Sequence, residues 1–136
     1  MDHAKSEYGD LKIISAEDCG NAPKKELLRE FNIAFAKNDI GFIIENITDN
    51  VLWNIVGDKR IEGKDTFADT LKQMRNSTAI ELYISNIITH GNTGSANGIL
   101  TFENKKSYAF CDVYIFSSAA KNAKIKEITS YVIEVA

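Results

Sequence analysis

From residue 79 to the end, the hydrophobic period of this chain is two. "AIELYISNIIT", "GSANGILTFE", "SYAFCDVYIF" and "KIKEITSYVIEV" read as four long strands. Only "HGNTG", "NKK" and "SSAAKNA" separate them, and turns this short imply antiparallel hairpins. A sheet of that length has an apolar face that must be covered. The cover lies upstream. Pro23 suits the first turn of a helix, where its missing N–H costs nothing. Leu27, Leu28, Phe31, Ala34 and Phe35 follow at helical spacing, so a helix is expected over 23–37, ended by "KND". "IGFIIENI" (40–47) reads as a shorter apolar helix. "DNVLWNIVGD" (49–58) reads as a strand closed by Gly57 and Asp58. After "KRIEG" a third helix starts near Lys64, with Phe67, Leu71 and Met74 on its inner stripe.

The resulting fold class is α+β, with three helices on one side of a strongly curved, largely antiparallel sheet. A sheet bends this far only with bulges or small residues, and Gly94 and Gly98 are the candidates. The 136 residues suit one domain over 23–136, with 1–22 an N-terminal extension in which "LKII" forms at most a short strand.

Composition narrows the partners. The formal charge is -3, and the basic residues cluster only as the pairs Lys24-Lys25 and Lys105-Lys106. Nucleic acid is not the expected partner, since phosphate binding needs a basic stripe. The N-terminus has no apolar signal segment, and no apolar run is long enough for a bilayer. The expected setting is cytoplasmic, with Cys19 and Cys111 as free thiols. His3 and His90 are the only histidines, and no metal-ligand spacing is present, so neither metal nor cofactor is expected.

One residue stands out. Asp112 shares a strand face with Tyr108, Phe110, Tyr114 and Phe116. A face this aromatic is a buried face, and a buried carboxylate is unfavourable unless it is satisfied or used. Cys111 alternates to the other side, with Val113 and Ile115. That second apolar face implies a homodimer formed through the sheet.

The element order, with "DNVLWNIVGDKRIEGKDTFADTL" at its centre, resembles the nuclear transport factor 2-like (NTF2-like) superfamily, and within it the SnoaL-like group. "AFAKNDIGFIIENITDN" and the closing "KIKEITSYV" carry the same resemblance, which covers residues 23 to 135. It implies a cone with a mostly apolar pocket, and commonly a dimer. It does not by itself imply an activity, because the superfamily spans isomerases, cyclases, an epoxide hydrolase, a dehydratase, transport factors and oligomerisation domains.

Within the resemblance, "CDVYIF" is similar to the ketosteroid isomerase stretch whose aspartic acid stays neutral in apolar surroundings and donates a hydrogen bond. The catalytic candidate is therefore Asp112. The base of those isomerases matches Asn54, and an amide is no base at neutral pH. Their tyrosine donor matches Phe31, which has no hydroxyl. Steroid isomerase chemistry is thus not expected. A SnoaL-type cyclase needs a single aspartate, for which Asp112 suffices, with Asn54 to polarise a carbonyl. An epoxide hydrolase needs an Asp-Arg-Asp set, and Arg29, Arg60 and Arg75 lie on no expected pocket strand.

The expected ligand-binding residues are Phe31, Trp53, Asn54, Phe67, Leu71, Phe102, Phe110 and Tyr114. Alternation puts Trp53 and Asn54 on opposite faces, and the resemblance favours Asn54 inside. Two functions stay open. One is a binder of a small apolar or aromatic molecule that catalyses proton transfer or aldol-type chemistry on a carbonyl substrate. The other is a non-catalytic ligand-binding or dimerisation module. A free cavity reaching Asp112 favours the first; a cone filled by Phe31, Phe67 and Phe102 excludes it.

Overall fold

The computed structural model describes residues 4–8, 11–15, 22–74 and 77–135. Cys19, His3 and Arg75 lie outside the described residues. Within them, the chain order is β1 (Ala4–Tyr8), β2 (Leu11–Ser15), α1 (Pro23–Lys37), α2 (Ile40–Glu45), β3 (Ile47–Ile55), β4 (Lys59–Glu62), α3 (Lys64–Met74), β5 (Ala79–His90), β6 (Thr93–Phe102), β7 (Ser107–Phe116) and β8 (Ile125–Val135). All strands join one sheet in the order β1-β2-β5-β6-β7-β8-β3-β4. The β2–β5 and β3–β8 pairs are parallel and the rest antiparallel, so the sheet is mixed. This is the α+β cone expected from the sequence. No helix among the described residues is long and apolar enough to cross a membrane.

Local chemistry sets the helix limits. Pro23 opens α1, and Asn38 closes it in the left-handed conformation at φ 62°. The Asp39 side chain then accepts from the Phe42 N–H at 3.2 Å and caps α2. "KRIE", to which the sequence pattern assigned no element, is β4. It pairs with β3 through Trp53 opposite Ile61 and Asn54 opposite Arg60. "LKII" is β2, and its Leu11 and Ile13 are buried in the core.

One of the two candidate glycines, Gly98, coincides with an irregularity in the sheet. The β5–β6 register slips between Ile84 and Asn86, opposite Gly98 and Asn97. A side chain at Gly98 would overlap the Tyr83 carbonyl, so backbone meets backbone there. At Gly94, a Cβ would sit 2.7 Å from the Leu28 methyl, so the missing side chain lets α1 settle onto β6. At this end the cone is filled: Leu28, Phe116 and Ile125 are fully buried.

Candidate functional site

The other end of the cone is not filled. A cavity of about 390 Å³ lies between the second half of α1, the end of α3 and the concave face of β3, β6, β7 and β8. That size falls within the range of small-molecule pockets. The walls are mostly apolar and aromatic.

Asp112 lines this cavity from the middle of β7. Its cross-strand neighbours are Ala96 on β6 and Ser130 on β8. Tyr114 donates from its hydroxyl to Asp112 Oδ2 at 3.3 Å, longer than a usual O–H···O bond. The Ser130 hydroxyl, directly across on β8, favours the anionic form of the same carboxylate. Each of these donors has its own supporter. Asn32 Nδ2 donates to the Tyr114 hydroxyl at 3.1 Å and to the Leu28 carbonyl at 2.8 Å. Trp53 Nε1 donates to Ser130 Oγ at 2.9 Å. Two donor chains, Asn32–Tyr114 and Trp53–Ser130, thus converge on one carboxylate.

Burial pushes the Asp112 carboxyl from 3.8 up to about 6, with the Ser130 and Tyr114 hydrogen bonds pulling the other way. Desolvation wins, and among the described residues no Lys, Arg or His lines the cavity to oppose it. Burial, then the Asp112 charge, pushes the Tyr114 hydroxyl well above its ordinary range, so it stays protonated. At neutral pH Asp112 is mainly an anion, yet close enough to its midpoint to exchange a proton readily.

The structure brings Phe31, Trp53, Leu71, Phe102, Phe110, Asp112 and Tyr114 together on the cavity wall. It leaves out two residues. Asn54 does not line the cavity; on β3 the residues that do are Trp53 and Ile55. The indole takes the inner face because its N–H has Ser130 there and its ring has partners. It stacks on Phe67 at 4.6 Å and meets the edge of Phe35 at 5.7 Å. Asn54 is therefore unable to polarise a carbonyl held in the cavity. Phe67 is fully buried and backs the Trp53 ring rather than lining the space. Arg29 and Arg60 are not on the wall, and His90 is exposed at the end of β5.

Sequence reasoning missed Asn32 and Ser130. Both carried a signal. Asn32 is a polar residue on the apolar stripe of α1, one turn after Leu28. Ser130 alternates with Ile128 and Val132 on the inner face of β8. Phe31 does lack the hydroxyl of the isomerase helix, but a hydroxyl reaches Asp112 from Tyr114, whose ring packs edge-on to Phe31 at 6.0 Å.

Similarity to solved structures agrees with this architecture. An NTF2-like protein of unknown function from Cytophaga hutchinsonii is 26% identical with a TM-score of 0.59, covering 80% of this chain and 98% of that one. An LEH-like epoxide hydrolase of M. tuberculosis is 18% identical with a TM-score of 0.66, covering 82% and 83%. A ketosteroid isomerase-like protein of Kribbella flavida is 11% identical with a TM-score of 0.65, covering 84% and 80%. No protein-family model and no curated protein matches the chain. The chain has the NTF2-like superfamily fold.

Proposed function

We propose that this protein binds a small, mostly apolar molecule in its cone, with Asp112 as the polar anchor. The observation that carries the reading is the cavity of about 390 Å³ with Asp112 on its wall. Trp53 is the only tryptophan and lines that cavity, so occupancy is readable as a change in its fluorescence. The test is a screen of small aromatic and polyketide-like compounds by thermal shift and Trp53 emission, repeated on Asp112→Asn. Compounds should stabilise the protein and perturb Trp53, and the substitution should weaken them. Stabilisation that survives Asp112→Asn unchanged removes Asp112 from the site.

A catalytic reading, in the manner of a SnoaL-like enzyme, is favoured by the Asp112 carboxyl at about 6, which suits general base work at neutral pH. Here Asp112 would take a proton from carbon beside a substrate carbonyl. The weak point of that chemistry is the developing oxyanion, since the Tyr114 hydroxyl donates to Asp112 itself. Activity on a carbonyl substrate should rise with pH through about 6 and vanish in Asp112→Asn. A rate unaffected by that substitution excludes the reading.

We also propose a homodimer through the convex face of the sheet. Tyr83, Ile99, Ala109 and Ile133 fall in one register row across four strands on that face. Ile133 is 67% exposed and Tyr131 50%, a large apolar area for a lone chain. Sedimentation should give a dimer at micromolar concentration that Ile133→Glu dissociates. A wild-type monomer contradicts the proposal.

A further inference from the structure

We propose that the cavity selects a protonated amine carried on an apolar or aromatic body. The inference rests on the reading that the cavity binds a small molecule, and it names the chemistry of that molecule.

The argument starts from the hydrogen-bond inventory at the polar end. Both Asn32 amide hydrogens are committed, one to the Leu28 carbonyl and one to the Tyr114 hydroxyl. The Leu28 partner is a carbonyl oxygen, which fixes the amide nitrogen on that side. The Trp53 N–H is committed to Ser130. The Tyr114 hydroxyl hydrogen is committed to Asp112, and the Ser130 hydroxyl, directly across from it on β8, favours the Asp112 anion. Every donor of this network therefore points into it. What remains for a ligand is acceptor capacity: the unused lone pairs of the Asp112 carboxylate and the Asn32 amide oxygen. An incoming ketone or carboxylate would meet lone pairs and find no free hydrogen there.

Charge leads the same way. Asp112 is an anion among apolar walls, and among the described residues no cationic side chain lies on the cavity surface. The other polar residues described on the wall, Asn38, Ser77, Asn104 and Tyr108, include no cation. A desolvated carboxylate without a counter-charge is unfavourable, and a cation entering the cavity relieves it. The aromatic walls add to this, because ring faces attract ammonium groups. Phe31, Phe35, Trp53, Phe102 and Phe110 all line the space. An alkylammonium supplies what the site lacks: hydrogens to donate, positive charge, and an apolar body.

The sign of the pH effect separates this ligand class from a carbonyl compound. Facing Asp112, β6 presents Ala96, β8 presents Ser130, and α1 contributes Asn32 through Tyr114. Among the described residues the titratable group in contact with Asp112 is Tyr114, which stays protonated, so a midpoint near neutrality belongs to Asp112. An amine should bind better as the pH rises through about 6, where Asp112 ionises. A ketone accepting a hydrogen bond from neutral Asp112 should bind better as the pH falls.

The experiment titrates the full chain with 1-naphthylmethylamine, 1-acetonaphthone and 1-naphthoate, and with their cyclohexyl counterparts, by calorimetry at pH 5 and 7.5. The amines should bind at least about tenfold more tightly than the ketones at pH 7.5 and lose most of that margin at pH 5. Asp112→Asn should abolish the margin. Ketone or carboxylate binding as tight as amine binding at pH 7.5 overturns the inference and leaves the cavity a binding site. So does amine affinity unchanged by pH and by Asp112→Asn. Failure of all six compounds to bind overturns both the inference and the reading beneath it.

Discussion

β7 carries side chains into both ends of the cone, and each end holds a buried charged group. At the filled end, Phe116 lies under the Lys24 ammonium at 5.3 Å, and that ammonium donates to the carbonyls of Ala119 and Ala120. At the open end, Asp112 is met by two hydroxyls and a cavity. Lys24 ties the start of α1 to the loop between β7 and β8, so its charge serves the fold. Asp112 is held by donors but, among the described residues, matched by no cation, and it faces the cavity. The difference teaches how to tell a structural charge from a site: a structural one is satisfied by its own fold.

Three substitutions sharpen or break that contrast. The largest effect is expected at Asp112. Its folded carboxyl ionises at about 6 against 3.8 in the unfolded chain. Between those values the folded state holds the extra proton, so the stability this group contributes is complete below 3.8 and lost as pH rises through about 6. The loss is at most about 3 kcal/mol. Asp112→Asn should thus raise the unfolding free energy at pH 7.5 and leave it nearly unchanged at pH 4, as read by urea melts. Stabilisation that is equal at both pH values would break the comparison.

Lys24→Met should do the opposite. It keeps the stem's packing but removes the hydrogen bonds and the ring contact, with an expected loss of about 2 kcal/mol at neutral pH. The amine titration should be unaffected, because Lys24 is not on the cavity wall. Smallest in stability is Ser130→Ala, about 1 kcal/mol, from the freed Trp53 N–H. Its clearer mark is on titration: loss of the Ser130 hydrogen bond raises the Asp112 midpoint further. A midpoint that falls in Ser130→Ala would show that the hydroxyl does not stabilise the anion.

The elements were legible because periodicity reports burial directly. α1 begins at Pro23 and ends at Lys37 as its spacing and breaker imply, and the four long strands follow the alternation from residue 79. Asp112 was legible for the same reason, as a carboxylate in phase with aromatic residues. Alternation separates Trp53 from Asn54 but does not say which one turns inward. That choice depends on Ser130, 77 residues away in sequence, and on the Phe67 ring. Hydrogen-bond chains such as Asn32–Tyr114–Asp112 join α1 to β7 and exist only once the sheet has curled round the helix. β4 was hidden because four residues with a single buried position, Ile61, carry too little pattern to read.

The most direct test of the central claim follows the Asp112 side-chain carboxyl carbon by NMR as pH is varied, with and without 1-naphthylmethylamine. The expected midpoint is about 6 in the free protein, moving to lower pH when the amine occupies the cavity. A midpoint near the ordinary 3.8, unmoved by a compound that perturbs Trp53, would contradict it.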